Sequence, residues 1–316
     1  MKMHEMKLVL ALGLSVVGMG AAWAGPLQRS QVAGDAVWFL HLDVDKLKTT
    51  EVGKFILGEL EKPDAAGKIA AVQAMFNFDP RKNLKGATLY SRGAAPEDAV
   101  LLLQGEFDNT RLTSLIKLDS DYQGTLHGSY TIHSWVDKGK KAKGGSGRTF
   151  GAIHTNGLVI VGQKGDRIGE ALDVLDGTLA KTDSTKLLPA LGAAAESCIV
   201  VGEALQLDLG KFAPNAEILK HFKGMTLLAR ETPDTVAVDL TVEAENEDAA
   251  RNLEAMTKGM LAWVAFQGDK AGKNKILQGL SISQKGSSVA AALKISPANL
   301  MEMVKDNSGK RSARQP

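Results

Sequence analysis

Cysteine is almost absent from the sequence, and its scarcity bears on both stability and chemistry. Cys198 is the single cysteine in 316 residues, so no intramolecular disulfide can form and the core must be held by packing alone. The residue lies in the apolar run Ser197–Val201, which is typical of a buried, inert thiol. A nucleophilic cysteine would need a neighbouring base, and the sequence around Cys198 shows none.

An excess of charge of one sign is also missing. The chain has 38 basic and 36 acidic residues, a formal net charge of +2, and this balance argues against a nucleic-acid-binding protein, which concentrates lysine and arginine on one face. The motifs His-Glu-x-x-His, Cys-x-x-Cys, Gly-x-Gly-x-x-Gly after a strand and the EF-hand loop are absent as well. Enzymes that assemble their sites from dispersed residues remain possible, but no motif identifies an activity.

No apolar run is long enough to span a membrane, which takes about 20 residues. The uncharged run Leu8–Gly20 follows Lys2 and Lys7 and precedes the small-x-small site Ala22-Trp-Ala24. This order predicts a secretory signal peptide over residues 1–24, with a membrane anchor as the alternative. We therefore expect a periplasmic or secreted protein without a transmembrane segment in the mature chain. Cleavage removes two basic residues and one acidic residue, so the net charge falls to +1.

A near-repeat of eight residues indicates the architecture. The octet Lys85–Arg92 (KGATLYSR) returns as Lys223–Arg230 (KGMTLLAR), and a strand-like run and a helix-like run follow each copy. One structural unit used twice accounts for this order. We predict an α+β fold formed by tandem duplication of a unit whose antiparallel sheet is covered on one face by helices. The first repeat is expected over 25–180, the second over 181–305, and a disordered basic tail over 306–316.

In the first repeat the octet and the apolar run 100–104 are predicted to form a hairpin, and two more hairpins are predicted after it. One turns at Gly128-Ser129, and the other turns at Asn156-Gly157, a sequence that favours the type I′ turn of a two-residue hairpin. Asp108 is a good N-cap for a helix over 110–117. In the second repeat we predict a helix over 247–266 and a last helix that begins at Ser296-Pro297.

Three histidines fall within these hairpins, namely His127, His133 and His154. If Trp135 pairs with Phe150, then His133 and His154 lie diagonally on one sheet face and could bind a transition metal or shuttle protons. A metal-dependent hydrolase that uses these two histidines and a carboxylate is therefore one hypothesis. A slip of one residue in the register would separate them, and packed or surface histidines are the alternative.

Two further groups of residues are candidate sites. The loop between the hairpins could contact an anionic lipid, polysaccharide or partner, or could be a solvated tip; its basic residues are Lys138, Lys140, Lys141, Lys143 and Arg148. His41, Asp43 and Asp45 alternate along a predicted strand and would present three metal ligands on one face. Asp45 is instead expected to leave the strand to cap the next helix.

Apolar residues recur at helical spacing within the predicted helix 247–266. They are Ala249, Leu253, Met256, Met260 and Val264, with Trp263 beside them. Packing of this side of the helix in the core is the ordinary explanation. Methionine and tryptophan could instead line an adaptable pocket for a hydrophobic ligand.

Several short motifs resemble those of a family of exported bacterial proteins of unknown function. They are the run 41–47 (HLDVDKL), Phe78-Asp-Pro-Arg81 with the Lys-Gly-x-Thr-Leu strand after it, and His133-Ser-Trp135. The resemblance implies no activity, cofactor or site residue. Our leading hypothesis is an exported, non-enzymatic binding protein of the cell envelope, with a protein, polysaccharide or lipid as its partner. The alternatives are the metal-dependent hydrolase and a carrier of a hydrophobic ligand.

Overall fold

The computed structural model describes residues 25–93, 95–136, 147–154, 157–181, 192–205, 222–266 and 273–312. These residues divide into two units: residues 25–48 and 56–181 belong to the first, and residues 49–55 and 192–312 to the second. Each unit combines helices with an antiparallel sheet, as predicted for the fold class. The predicted boundary after residue 180 stays a prediction, because residues 182–191 lie outside the described part.

Seven strands form the sheet of the first unit. They are β1 (Trp38–Asp43), β2 (Leu84–Ser91), β3 (Ala99–Gly105), β4 (Gln123–His127), β5 (Tyr130–Val136), β6 (Arg148–Ile153) and β7 (Leu158–Gly162). Their order is β1-β2-β3-β7-β6-β5-β4, and neighbouring strands are antiparallel. All three predicted hairpins, β2–β3, β4–β5 and β6–β7, are confirmed. Gly128 and Gly157 take positive φ angles of 56° and 92° in the connections of the last two, while Asn156 lies outside the described residues.

Six helices precede or connect these strands along the chain. They are α1 (Val44–Thr49), α2 (Glu51–Leu60), α3 (Pro63–Phe76), α4 (Pro80–Asn83), α5 (Asn109–Ile116) and α6 (Gly165–Asp176). The N-cap predicted at Asp108 is confirmed, since its Oδ1 accepts from the Arg111 amide at 2.9 Å. The Asp79 side chain caps α4 in the same way, and α6 ends at Gly177, which has φ 80°, because glycine adopts this conformation at little cost.

Helices pack on both faces of the first sheet, not on one face as predicted. Ile168 of α6 lies over Gly162, which shares a sheet face with Ile160 because side chains alternate along a strand. Leu103 faces the other way. It packs in a separate core cluster with residues of α3 and α5, including Phe76 and Leu112. The alternating pattern of the strands could not distinguish these arrangements, since β3 and β7 are largely apolar on both faces.

Five strands form the sheet of the second unit, β8 (Val200–Leu205), β9 (Phe222–Thr232), β10 (Thr235–Ala244), β11 (Leu280–Lys285) and β12 (Ser288–Ile295). They are antiparallel, in the order β11-β12-β10-β9-β8. The helices are α7 (Glu247–Phe266), α8 (Lys273–Gly279) and α9 (Pro297–Ser312). α9 continues to Ser312, within the tail predicted over 306–316, and the disorder of that tail stays a prediction.

The two octets occupy matching positions in their sheets. Each forms most of the middle strand of three consecutive antiparallel strands, β1-β2-β3 and β8-β9-β10. Thr88 of the first octet lies opposite His41 of β1, and Thr226 of the second lies opposite Glu203 of β8. His41 and Glu203 are both buried. The match therefore extends from the octets to the strands that precede them.

Candidate functional site

The structure separates the two histidines that were predicted to form a metal pair. β5 pairs with β6 so that His133 lies opposite Gly151 and Trp135 opposite Thr149, one residue away from the predicted Trp135–Phe150 pairing. Since side chains alternate, His133 and His154 point to opposite faces. The predicted register is therefore wrong, and the geometry that motivated the pair is lost. Among the described residues, no group of three or more histidine, cysteine or acidic side chains could hold a metal ion.

Each of the three hairpin histidines instead contacts a neighbouring polar side chain. His133 is buried, and its Nδ1 lies 3.0 Å from the Tyr122 hydroxyl; burial, and secondarily the charge of Lys117, lowers its pKa. His127 Nε2 lies 2.9 Å from Asp173 Oδ1, a residue of α6. These contacts hold strands to helices and to each other.

His154 is the most strongly positioned of the three. Its Nε2 lies 2.8 Å from Asp176 Oδ1, and its ring stacks on Tyr130 with centroids 5.3 Å apart. The Tyr130 hydroxyl donates to the same Asp176 oxygen at 2.9 Å. The hydrogen bond from His154, followed by that from Tyr130, lowers the pKa of Asp176. The imidazole is therefore fixed in one orientation, with its side chain only 12% exposed.

The group His41, Asp43 and Asp45 does not lie on one strand. β1 ends at Asp43, whose Oδ1 accepts from the Lys46 amide at 2.9 Å. Asp45 leaves the strand as expected, but it lies within α1, 3.1 Å from Lys48 Nζ, so the capping contact predicted for Asp45 is made by Asp43. His41 remains in the strand and is 3% exposed. Its Nδ1 lies 2.9 Å from Thr88 Oγ1, and its Nε2 has no hydrogen-bond partner among the described residues. The strand therefore presents a buried histidine, not three metal ligands.

Burial dominates the ionisation of His41. It lowers the pKa from 6.5 to about 4, partly opposed by the nearby Gly25 carbonyl and assisted by the charge of Lys46. A neutral imidazole is therefore favoured in the folded protein at neutral pH.

The basic loop can be assessed at one residue only. Lys138, Lys140, Lys141 and Lys143 lie outside the described residues, so their contact with an anion or partner stays a prediction. Arg148 is the first residue of β6, and its Nη1 donates to Ser134 Oγ at 2.7 Å. Its guanidinium also lies 3.4 Å from the Asp121 carbonyl oxygen. Arg148 therefore contributes to strand packing.

The apolar row of α7 is exposed over its C-terminal half, contrary to the expectation of core packing. The first half packs on the sheet through Ala250 and Leu253, beside Ala244 and Val289. The exposed side chains in the second half are Met256, Met260, Trp263 and Phe266, with exposed fractions of 50%, 67%, 64% and 90%. Sequence analysis identified the row, but helical spacing alone does not show whether another element covers it.

A polar cleft of about 380 Å³ lies at one end of the first sheet. Residues from four places line it: the N-terminal segment, the ends of β2, β3 and β7, the connection between β6 and β7, and the end of α6 with the segment after it. Its polar side chains include Gln28, Gln31, Lys85, Gln104, His154 and Lys181. Sequence analysis missed this cleft, because its lining residues are far apart in the chain and carry no motif.

Comparisons with known proteins support the fold and no specific activity. No family model and no curated protein matches the chain. The chain is similar to crystal form I of TP0453, with 14% identity, a TM-score of 0.50, and coverage of 90% of this chain and 98% of that one. Crystal form III of TP0453 gives 12% identity, a TM-score of 0.48, and coverage of 90% and 100%. At such low identity the likeness concerns the fold alone.

Proposed function

We propose that this is an exported, non-enzymatic binding protein of the cell envelope that attaches to a lipid membrane surface through the C-terminal half of α7. The observation that supports this proposal most directly is that the last three turns of one helix expose Met256, Met260, Trp263 and Phe266. Export rests on the predicted signal peptide over residues 1–24, which leads to the periplasm or the exterior.

The charge distribution on α7 supports a lipid surface as the occupant. The segment 255–266 (AMTKGMLAWVAF) contains a single charged residue, Lys258, whereas the first half of the helix carries Glu247, Asp248 and Arg251. A helix end that is apolar and exposed is unusual in a protein surrounded only by water. Tryptophan, phenylalanine and methionine insert readily at the boundary between headgroups and acyl chains. Lys258 Nζ pairs with Glu254 Oε1 at 2.8 Å, and at a membrane its amine could exchange this contact for lipid headgroups.

This attachment would be peripheral. Among the described helices, none is both long and apolar enough to span a bilayer. Full burial of a phenylalanine or methionine contributes about 1.5–3 kcal/mol, so the four partly exposed side chains together favour reversible binding. A carrier of a hydrophobic ligand receives less support, because that hypothesis requires the Met-Trp row to face the sheet.

Sedimentation with lipid vesicles tests the proposal. The chain from residue 25 is mixed with vesicles of phosphatidylethanolamine and phosphatidylglycerol, and the bound fraction is measured together with the blue shift of tryptophan fluorescence. We expect Trp263→Ser combined with Phe266→Ser to weaken binding at least tenfold, on the order of the burial free energy of one aromatic side chain. Leu126→Ser is the matched control, since Leu126 is 79% exposed on β4 of the first unit.

The salt dependence of vesicle binding distinguishes attachment through α7 from attachment through the basic loop. Binding through α7 changes little when salt is added, because its apolar end carries one cation, whereas binding through the basic loop would fall steeply. Absence of vesicle binding, or equal binding by the double variant, would overturn the proposal.

We also infer that the two units derive from one duplicated unit. Support comes from the octets, which hold the same place in each sheet and pair Thr88 with buried His41 in one unit and Thr226 with buried Glu203 in the other. The order of elements after each octet agrees as well, with a strand and then a helix.

A further inference from the structure

We propose that the polar cleft of the first unit binds a small hydroxylated anion, a sugar acid or sugar phosphate of about monosaccharide size. This site is separate from the proposed membrane contact. It differs from it in chemistry as well, because its lining is mostly polar and contains no aspartate or glutamate.

The positive charge in the cleft comes from two lysines. Lys85 Nζ lies 2.9 Å from Glu106 Oε1, so its charge is partly neutralised by a residue outside the lining. Lys181 follows α6 in the lining of the cleft, and within the described part of the chain no acidic side chain forms an ion pair with it. An anion entering the cleft would therefore gain Lys181 as a charged hydrogen-bond donor without breaking an ion pair. Charge-assisted hydrogen bonds of this kind are the stronger ones.

The remaining polar groups suit hydroxyl groups on the ligand. Gln28, Gln31 and Gln104 carry amides that both donate and accept hydrogen bonds, as a sugar hydroxyl also does. His154 is already fixed by Asp176 at 2.8 Å and by stacking on Tyr130, so binding need not immobilise it. Such preorganisation reduces the entropic cost of binding.

Two glycines hold the chain segments that form one wall of the cleft close together. Gly105 and Gly157 both line the cleft, and the Gly105 amide donates to the Gly157 carbonyl at 2.8 Å. A Cβ atom on Gly157 would lie 2.6 Å from the Gly105 carbonyl oxygen. The two segments therefore approach each other as closely as their backbones allow, and no side chain projects from these positions into the cleft.

Calorimetric titration with three probes tests this proposal without vesicles. Glucuronate and glucose share a ring and differ in the carboxylate, while inorganic phosphate presents the anion alone. We expect glucuronate to bind, glucose to give no comparable signal, and Lys181→Met to weaken binding about tenfold, the effect of one charge-assisted hydrogen bond. Lys68→Met, which removes an exposed lysine of α3, should leave the affinity unchanged.

The outcomes are distinct. Binding of phosphate as tight as that of glucuronate, and equally sensitive to Lys181→Met, supports an anion site in which phosphate esters are the favoured ligands. Equal binding of glucose and glucuronate overturns the anionic class. Absence of binding by both anions at about 10 mM, a concentration that still detects millimolar affinity, also overturns it. An affinity that is unchanged in both Lys181→Met and Lys85→Met overturns it as well.

Discussion

Acidification is expected to destabilise the first unit through His41. The ring is 3% exposed, and its pKa is lowered from 6.5 to about 4, mainly by burial. Between these values the unfolded chain binds a proton that the folded chain does not, so stability is lost as the pH falls from 6.5 toward 4. The full shift corresponds to about 3 kcal/mol, of which about 2 kcal/mol is lost between about pH 7.5 and about pH 5.

Urea unfolding measures this loss. Trp38 and Trp135 belong to the first unit, whereas Trp263 of the second unit is already 64% exposed, so the change in tryptophan fluorescence on unfolding comes mainly from the first unit. His41→Asn removes the titrating ring, while its amide can still reach the Thr88 hydroxyl that His41 Nδ1 contacts at 2.9 Å. We expect the free energy of unfolding to fall less in His41→Asn than in the parent chain between about pH 7.5 and about pH 5, by about 2 kcal/mol.

A second histidine variant controls for general effects of acid. His127→Gln removes a partly exposed histidine on β4 and leaves His41 unchanged, so the acid sensitivity that is due to His41 should persist. If His41→Asn loses as much stability as the parent between the two pH values, the ring is not held neutral by burial, and the reasoning fails.

Two further predictions concern the first unit, one for the helix cap at Asp79 and one for the glycines of its turns. Asp79→Asn should cost about 1–2 kcal/mol in urea unfolding at neutral pH, because Asp79 binds the Arg81 amide at 3.0 Å and its guanidinium at 2.8 Å. Arg81 lowers the Asp79 pKa, so this difference should disappear as the pH falls below about 4; a constant difference would contradict the charged pairing. Gly157→Ala should cost about 2 kcal/mol or more because of its positive φ and the 2.6 Å approach to the Gly105 oxygen. Gly128→Ala, with φ 56° and no atom within 4 Å of its Cβ position, should cost only about 1 kcal/mol, and equal losses would refute the steric argument.

Features fixed by adjacent residues were predictable from the sequence. Asp108 caps α5, the turn at Gly128 joins β4 and β5, and α7 spans Glu247–Phe266 as predicted. Each depends on capping or turn chemistry within a few residues. The pairing of β5 with β6 was missed by one residue, because a long connection between the strands leaves their register undetermined by local turn geometry.

The candidate site was less predictable, because burial and proximity depend on the whole fold. Sequence analysis identified His154 but paired it with His133, whereas the structure places it beside Asp176 of α6 and in the wall of the polar cleft. Gln28 and Lys181 line the same cleft from positions more than a hundred residues apart. No spacing rule connects such residues, since their proximity arises from the packing of the N-terminal segment against the end of α6.

The octets also show where function is to be sought. Their shared polar residues form contacts within the fold: Thr88 contacts His41, Arg92 pairs with Asp35 and Glu170, and Arg230 pairs with Asp239 at 2.6 Å. These interactions stabilise the middle strand of each sheet. The exposed end of α7 occurs in the second unit and the polar cleft in the first. If the units are copies, Lys85 is the octet residue that also lines the polar cleft, and the helix after the second octet is the one whose end is exposed, so each copy has acquired a different binding surface on a shared scaffold.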